Sequence, residues 1–138
     1  KAFADYLNRA GNEAHGSTTL VIAGGWDPRV AENVEHEKEL REIAEKHSIS
    51  TNVVFLKSIS NDQRLLLLEN TSILLYTPEN EHFGIVPVEA MHMGCIVIAC
   101  DSGGPLESVA DGITGYLIHQ DPKLWGEKIF SLLEPGNE

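Results

Sequence analysis

Two carboxylates that could act on one ligand, Glu81 and Glu89, are separated by seven residues in the middle of the chain. Between them, Gly84 leads a loop into a predicted helix, and Pro87 fits its first turn because the missing proline N–H has no helical partner there. The N-terminus of a helix presents free backbone N–H groups and the positive end of the helix dipole, which together bind anions. Glu81 on the loop and Glu89 about one turn inside the helix would therefore bracket one ligand.

The elements that would position this pair alternate along the chain. Apolar and β-branched runs predict five strands, at residues 19–23, 52–56, 73–76, 95–100 and 116–118. Helical patterns predict helices over residues 1–14, 30–47, 61–68 and 106–110, one that Gly94 closes, and a last one that begins at 121–122. The stretch Glu134-Pro135-Gly136 has the composition of a frayed end.

Most of these strands are continuous apolar runs and lack an alternating pattern, which is typical of parallel strands covered on both faces. We therefore predict an α/β fold, a Rossmann-like parallel sheet with helices on both faces. Such sheets bind ligands at the carboxyl ends of their strands. The loops that begin near Gly24, Lys57, Thr77 and Asp101 should all leave from that edge. A Gly24-Gly25 turn lets backbone approach a ligand, although on its own it more often reflects turn geometry.

Length and composition restrict the class of protein. A chain of 138 residues is long enough for one domain with a core, and its formal net charge of -11 argues against non-specific binding to nucleic acid or to an anionic membrane. No apolar run reaches the roughly 18 residues that would cross a bilayer. Cys95 and Cys100 stand at the two ends of a buried strand without metal-ligand spacing, which suggests a reducing compartment.

Three stretches carry a resemblance to a known family. The glutamate pair with FGIV and EAM in place resembles the donor-site signature of retaining glycosyltransferases of family 4, which are built from two Rossmann-like domains in the GT-B arrangement. The stretches AGGWDPRVAENVEHEKEL and CDSGGPLESVADGITGYL extend the likeness over residues 19–118 and make it most similar to mannosyltransferases of the dolichol pathway. The resemblance implies that residues 1–138 are one C-terminal, donor-binding domain.

The same resemblance implies a role for individual residues. Glu81 would contact the donor sugar as the catalytic residue, and Glu89 would accept hydrogen bonds from the ribose hydroxyls of the nucleotide. Phe83, Gly84 and Ile85 would line the sugar and pyrophosphate site through backbone amides. Further donor contacts would come from the ends of the first two strands, at Gly25, Leu56 and Lys57.

The resemblance also implies substrates and a location. The donor would be GDP-mannose, no metal or other cofactor would be needed, and a lipid-linked oligosaccharide acceptor would bind an N-terminal domain at the cytosolic face of the endoplasmic reticulum. In the family, an Arg and Lys pair that binds the donor pyrophosphate precedes the point where this chain begins, and Lys1 lies too far along the first helix to replace it. Without this basic pair, we expect at most weak donor binding by the isolated chain. Because an α/β chain normally begins with a strand and none precedes the first predicted helix, we also expect at least one preceding βα segment.

Other readings stay open on the residues alone. A different glycosyltransferase, a nucleotide-sugar epimerase or a phosphorylase could share this plan, as could a non-catalytic α/β binding module. A signalling receiver domain would need an aspartate at the end of its third strand and a lysine at the end of its fifth, where Tyr76-Thr77 and His119 stand. Glu89 and His92 have the spacing of a di-metal helix bundle, but such a site needs facing helices that an α/β layer does not supply.

Overall fold

A computed structural model describes residues 1–133 of the chain; the predicted frayed end at 134–136 lies outside them. The elements in order are α1 (Ala2–Ala10), α2 (Asn12–Ser17), β1 (Leu20–Gly24), α3 (Ala31–Lys46), β2 (Val53–Lys57), α4 (Asn61–Glu69), β3 (Ile73–Tyr76), α5 (Ile85–His92), β4 (Ile96–Cys100), α6 (Pro105–Ser108), β5 (Gly115–Ile118) and α7 (Pro122–Leu133). All five predicted strands are confirmed. The chain forms two compact units, one of residues 1–60 with the chain from Gly126 onward, the other of residues 61–125.

The first unit contains the parallel pair β1 and β2, whose register runs from Leu20 opposite Val53 to Gly24 opposite Lys57. Asn52, just before β2, is its one buried polar side chain among the described residues. The Asn52 amide is satisfied because Nδ2 donates hydrogen bonds to the carbonyls of His15 and Thr18, at 2.8 and 2.9 Å. These bonds fix the start of β2 to the segment that leads into β1.

The prediction of one continuous helix over residues 1–14 is wrong, because the structure has two helices there. α1 ends at Ala10, and Gly11 separates it from α2 with a φ of 77°, a left-handed conformation that glycine adopts without a Cβ penalty. The Gly11 N–H still donates to the Leu7 carbonyl at 3.0 Å, as expected for a residue that ends a helix. Apolar spacing continues through such a break, which is why the sequence pattern did not reveal it.

The second unit contains three parallel strands in the order β3, β4, β5. Ile73 to Tyr76 pair with Ile96 to Ala99, and Val97 to Cys100 pair with Gly115 to Ile118. A buried apolar cluster formed by α4, α5, β4 and the segment after α6 covers this sheet, and its members are Leu68, Ala90, Cys95, Val97, Ala99 and Val109. The register places the ends of β3 and β4, and the loops that follow them, side by side.

Parallel pairing is confirmed for every strand, but the strands do not form one five-stranded sheet. Within residues 1–133, ladder hydrogen bonds join β1 to β2, and separately join β3, β4 and β5. Continuous apolar runs indicate that a strand is buried on both faces, and they carry no information about which strand is its neighbour. The number of sheets was therefore beyond what the sequence pattern could predict.

The four leucines of α4 also differ from expectation. Four consecutive leucines predict burial on more than one side of the helix, yet only Leu68 is buried, at 5% exposure, while Leu66 is 61% exposed. Successive residues of a helix point about 100° apart, so a helix that packs on one side leaves part of such a run in solvent.

Candidate functional site

The candidate site is the loop of residues 77–84 after β3 and the start of α5. Gly84 is the N-cap residue of α5, with an extended φ of -86° and ψ of 109°, and within the described residues no side chain caps this end. The N–H groups of Ile85 and Val86 belong to the first turn and have no helical partner, and buried Pro87 has no N–H to satisfy. The predicted start of a helix after Gly84 is therefore confirmed, and Gly94, with a φ of 88°, follows its last turn as predicted.

Glu81 lies on the loop with its side chain exposed. In the part of the chain that the structure describes, its carboxylate forms no hydrogen bond or ion pair with another side chain. Burial first, and the negative charge of Glu81 second, raise the pKa of the Tyr76 phenol above its usual value. The Glu81 carboxylate is thus available to a ligand, on the loop that leads into the N-terminus of α5.

Gly84 cannot be replaced by a larger residue without a shift of structure. A Cβ atom at this position would lie 2.6 Å from Tyr76 Oη and 2.8 Å from Tyr76 Cζ, closer than real Cβ contacts come. The Tyr76 ring therefore packs directly against the backbone where α5 begins. Position 84 needs a glycine because the Tyr76 ring comes so close to its backbone. Backbone conformation is not the reason, since φ at Gly84 is negative.

Glu89 has a partner that the sequence reasoning missed. Nη1 of Arg64, on α4, donates a hydrogen bond to Oε2 of Glu89 in an ion pair, with the two side chains 34% and 26% exposed. One oxygen of Glu89 therefore faces a guanidinium, while a carboxylate has further lone pairs for a ligand. The sequence does show a basic residue, Arg64, on the helix before β3. It does not show that this residue comes close enough to α5 to pair with Glu89.

Three further predicted site residues, Gly25, Leu56 and Lys57, belong to the first unit. Leu56 is half-buried and Gly25 is exposed, with nothing within 4 Å of where its Cβ would be. The Lys57 ammonium lies 2.8 Å from Glu37 Oε2 and 3.8 Å from the centre of the Trp26 ring. The same Lys57 bond is the first cause that lowers the pKa of Glu37. Lys57 is therefore bonded within its own unit, and its role at a donor base stays a prediction.

Two absences concern residues 1–133. They contain no cluster of three or more His, Cys, Asp or Glu side chains with the geometry of a metal site, and His82 and His92 are both exposed. None of their helices is both long enough and apolar enough to span a membrane.

The sequence profile described as glycosyl transferases group 1 matches residues 1–138, the whole chain. The chain belongs to the group 1 glycosyl transferases. Among similar curated proteins, human alpha-1,3/1,6-mannosyltransferase ALG2 is 51% identical over 110 residues, which cover 80% of this chain and 26% of the human protein. The mouse protein of the same name is 47% identical over 127 residues, covering 92% and 31%, and that of Saccharomyces cerevisiae is 41% identical over 126 residues, covering 75% and 25%.

Solved glycosyltransferase structures share the fold of this group 1 chain. The crystal structure of Anabaena Alr3699/HepE in complex with UDP-glucose superposes with a TM-score of 0.79 at 25% identity, covering 96% of this chain and 35% of that one. The C-terminal domain of the Francisella tularensis group 1 protein LpcC superposes at 0.78 with 22% identity, covering 96% and 67%. The predicted Rossmann-like α/β class is confirmed, and these structural neighbours are GT-B glycosyltransferases.

This group 1 chain spans about a quarter to a third of the length of the curated relatives above, 26% of the human protein and 31% of the mouse protein. The similarity is therefore to one segment of those enzymes. It supports membership in the family, whereas donor, acceptor and reaction have to be argued from the site.

Proposed function

We propose that residues 1–138 are the donor-binding part of a longer retaining mannosyltransferase, which transfers mannose from GDP-mannose to a lipid-linked oligosaccharide. The observation that carries the proposal is the N-terminus of α5, which closely follows Glu81 in the chain. Within residues 1–133, no side chain caps this helix end and none pairs with the Glu81 carboxylate. One small region thus offers N–H donors for an anion and an acceptor for sugar hydroxyls.

The chemistry of such a transfer needs both features. As the bond from sugar to phosphate breaks, positive charge develops at the anomeric carbon and negative charge on the departing phosphate. Backbone N–H groups at Gly84 and Ile85 would stabilise the phosphate, and Glu81 would stabilise the sugar side, since preorganised groups act most strongly where charge develops. Phe83, exposed beside them, would bound the sugar pocket.

Glu89 would bind the ribose hydroxyls of the nucleotide. Its Oε2 pairs with Arg64, so the carboxylate is held in one orientation and its remaining lone pairs are available to hydroxyl donors. A contact of this kind, remote from the reacting bond, contributes equally before and during the reaction. Gly25, Leu56 and Lys57 would contribute to the nucleotide side of the donor, with the base contacts at Leu56 and Lys57.

The comparisons support the donor class and the transferred sugar to different degrees. The Anabaena structure is described with UDP-glucose, which supports a nucleotide sugar as ligand, and the relatives at 41 to 51% identity are named mannosyltransferases. Guanine as the base, the lipid-linked acceptor on a separate N-terminal domain, the cytosolic face of the endoplasmic reticulum and the absence of a metal requirement belong to the proposal.

Thermal unfolding of the chain with a panel of ligands tests the donor assignment. A ligand that binds only the folded state raises its stability by mass action, even when its dissociation constant is above about 10 μM. GDP and GDP-mannose should raise the midpoint more than UDP, UDP-glucose or ADP at equal concentration. Equal shifts of the midpoint with every nucleotide would indicate a general anion site. A preference for uridine ligands would indicate a different transferase, and no shift at millimolar ligand would indicate a non-catalytic module.

A further inference from the structure

The turn formed by Ser102, Gly103 and Gly104, here named the 102–104 turn, lies beside the loop that carries Glu81. The turn follows β4, and the loop of residues 77–84 follows β3. Because β3 and β4 are parallel, with Tyr76 opposite Ala99, both segments leave the same edge of the sheet.

Two hydrogen bonds join the turn to the backbone on either side of the Glu81 side chain. The N–H of Gly104 donates to the carbonyl of Glu81 at 2.6 Å. The N–H of Asn80 donates to Oγ of Ser102 at 3.1 Å. Asn80 has a φ of 55°, a left-handed conformation in which asparagine is enriched among residues with a side chain.

The two glycines bring the turn into backbone-to-backbone contact with the loop. A Cβ at position 103 would lie 2.8 Å from the nitrogen of Glu81, and it would approach the Glu81 carbonyl oxygen still more closely. A Cβ at position 104 would lie 2.7 Å from Cα of Phe83 and 2.9 Å from the carbonyl oxygen of His82. Any side chain at either position would push the loop away from the sheet edge.

We propose that the 102–104 turn positions Glu81 for the reaction, with Ser102 as a positioning residue that touches no substrate. The inference rests on the proposed function. The carboxylate of Glu81 has no side-chain partner among the described residues, so its place is set by the loop backbone, and the turn is what fixes that backbone. A misplacement of about 1 Å in a reacting group can cost about a hundredfold in rate.

Ser102→Ala is the informative change, because it removes one hydrogen bond without inserting an atom into the contact. In the full-length enzyme it should lower kcat about fivefold to tenfold and leave the donor KM within about twofold, since only the reacting carboxylate is displaced. Ser102→Thr keeps the hydroxyl and should restore most of kcat. Ser17→Ala is the matched control, because it removes a serine bond of 2.9 Å to the carbonyl of Glu13, within α2 and far from the loop in sequence.

Hydrogen–deuterium exchange on the same variants separates this inference from the proposed function. Peptides spanning residues 77–84 should exchange about fivefold faster in Ser102→Ala than in wild type, and at the wild-type rate in Ser17→Ala and Ser102→Thr. Faster exchange together with reduced kcat supports the positioning role. Faster exchange with unchanged kcat, unchanged exchange, or an equal loss in Ser17→Ala would overturn it. Absence of mannosyl transfer by the wild-type enzyme, with the exchange difference intact, would instead refute the proposed function.

Discussion

Arg64 on α4 and Glu89 on α5 form an ion pair across two helices of the second unit, and the guanidinium holds one carboxylate oxygen. Because both side chains remain about one quarter to one third exposed, the pair adds no more than about 1 kcal/mol to stability. Its more important consequence is the orientation of Glu89, which the proposed function assigns to the ribose.

Arg64→Gln should therefore weaken donor binding with little effect on folding. We expect the donor KM of the full-length enzyme to rise about threefold to tenfold with kcat within about twofold, because a binding contact is loosened and no reacting group moves. Arg9→Gln is the matched control, since Arg9 pairs with Asp5 at 2.5 Å with similar exposure in the first unit. A lower donor KM in Arg64→Gln would show that Arg64 competes with the ligand for Glu89. Equal effects of the two variants would show that Arg64 has no role in donor binding.

Gly84→Ala should destabilise the chain through the contact with Tyr76. The new methyl group would meet Oη and Cζ of the phenol, so either the ring or the start of α5 has to move, at a cost of about 1–3 kcal/mol. Gly16→Ala is the matched control, because Gly16 lies inside α2 with nothing within 4 Å of its Cβ position. That change should stabilise by about 0.4–1 kcal/mol. Urea unfolding of both variants measures the difference, and a neutral Gly84→Ala would contradict the close contact.

Both cysteines should be unreactive in the folded chain. Burial is the first cause that raises the pKa of each thiol, and the S–H groups of Cys95 and Cys100 donate to the carbonyls of Leu68 and Thr77 at 3.1 and 3.2 Å. Iodoacetamide at pH 8 should label the native chain far more slowly than the same chain in guanidinium. Labelling of either cysteine at the rate of the unfolded chain would contradict this burial.

The same thiols predict how stability depends on pH. Each folded-state pKa lies above that of an unfolded thiol, about 8.5, so the folded chain retains protons that the unfolded chain loses in that range. The contribution is fully present below the unfolded pKa and is lost as pH rises through the folded pKa. The midpoint temperature of unfolding should decrease as the pH is raised above about 9. Relative to each protein's own midpoint at pH 7, the decrease should be smaller in a Cys95→Ala, Cys100→Ala variant than in the wild type.

Replacement of the two glutamates should separate their roles in the full-length enzyme. Glu81→Gln should lower kcat by about 10² to 10³, as expected for the loss of about 3 to 4 kcal/mol of transition-state stabilisation. Glu89→Gln should mainly raise the donor KM, because a contact to the ribose is the same in ground and transition states. Steady-state kinetics decides the assignment. A normal kcat in Glu81→Gln, or a defect of Glu89→Gln confined to kcat, would show that the roles are wrong.

Local features of the fold could be predicted from sequence because their causes are local. The strand Ile73–Tyr76 agrees residue for residue with its apolar run, and Gly94 ends α5 because glycine accepts a positive φ there. Features that depend on distant parts of the chain could not be predicted. The partner of Glu89 and the division into two sheets depend on which elements lie side by side, and hydrophobic periodicity does not encode neighbours.

The candidate site divides in the same way. Spacing and helix-start chemistry predicted that Glu81 lies on a loop before a helix start at Gly84 and that Glu89 lies inside that helix, and the structure has this arrangement. The reason for Gly84 could not be predicted, since its cause is the Tyr76 ring. The contact of the 102–104 turn with residues 80–83 joins segments about 20 residues apart, and no short motif records it.

The central claim is that the start of α5 binds the donor, and the most direct measurement is an NMR titration of the ¹⁵N-labelled chain with GDP-mannose. We predict amide shift changes at Gly84, Ile85 and Glu89 that saturate with an affinity weaker than about 10 μM and are reduced in Glu89→Gln. Shift changes confined to the last turns of α7, or none at millimolar GDP-mannose, would contradict the account.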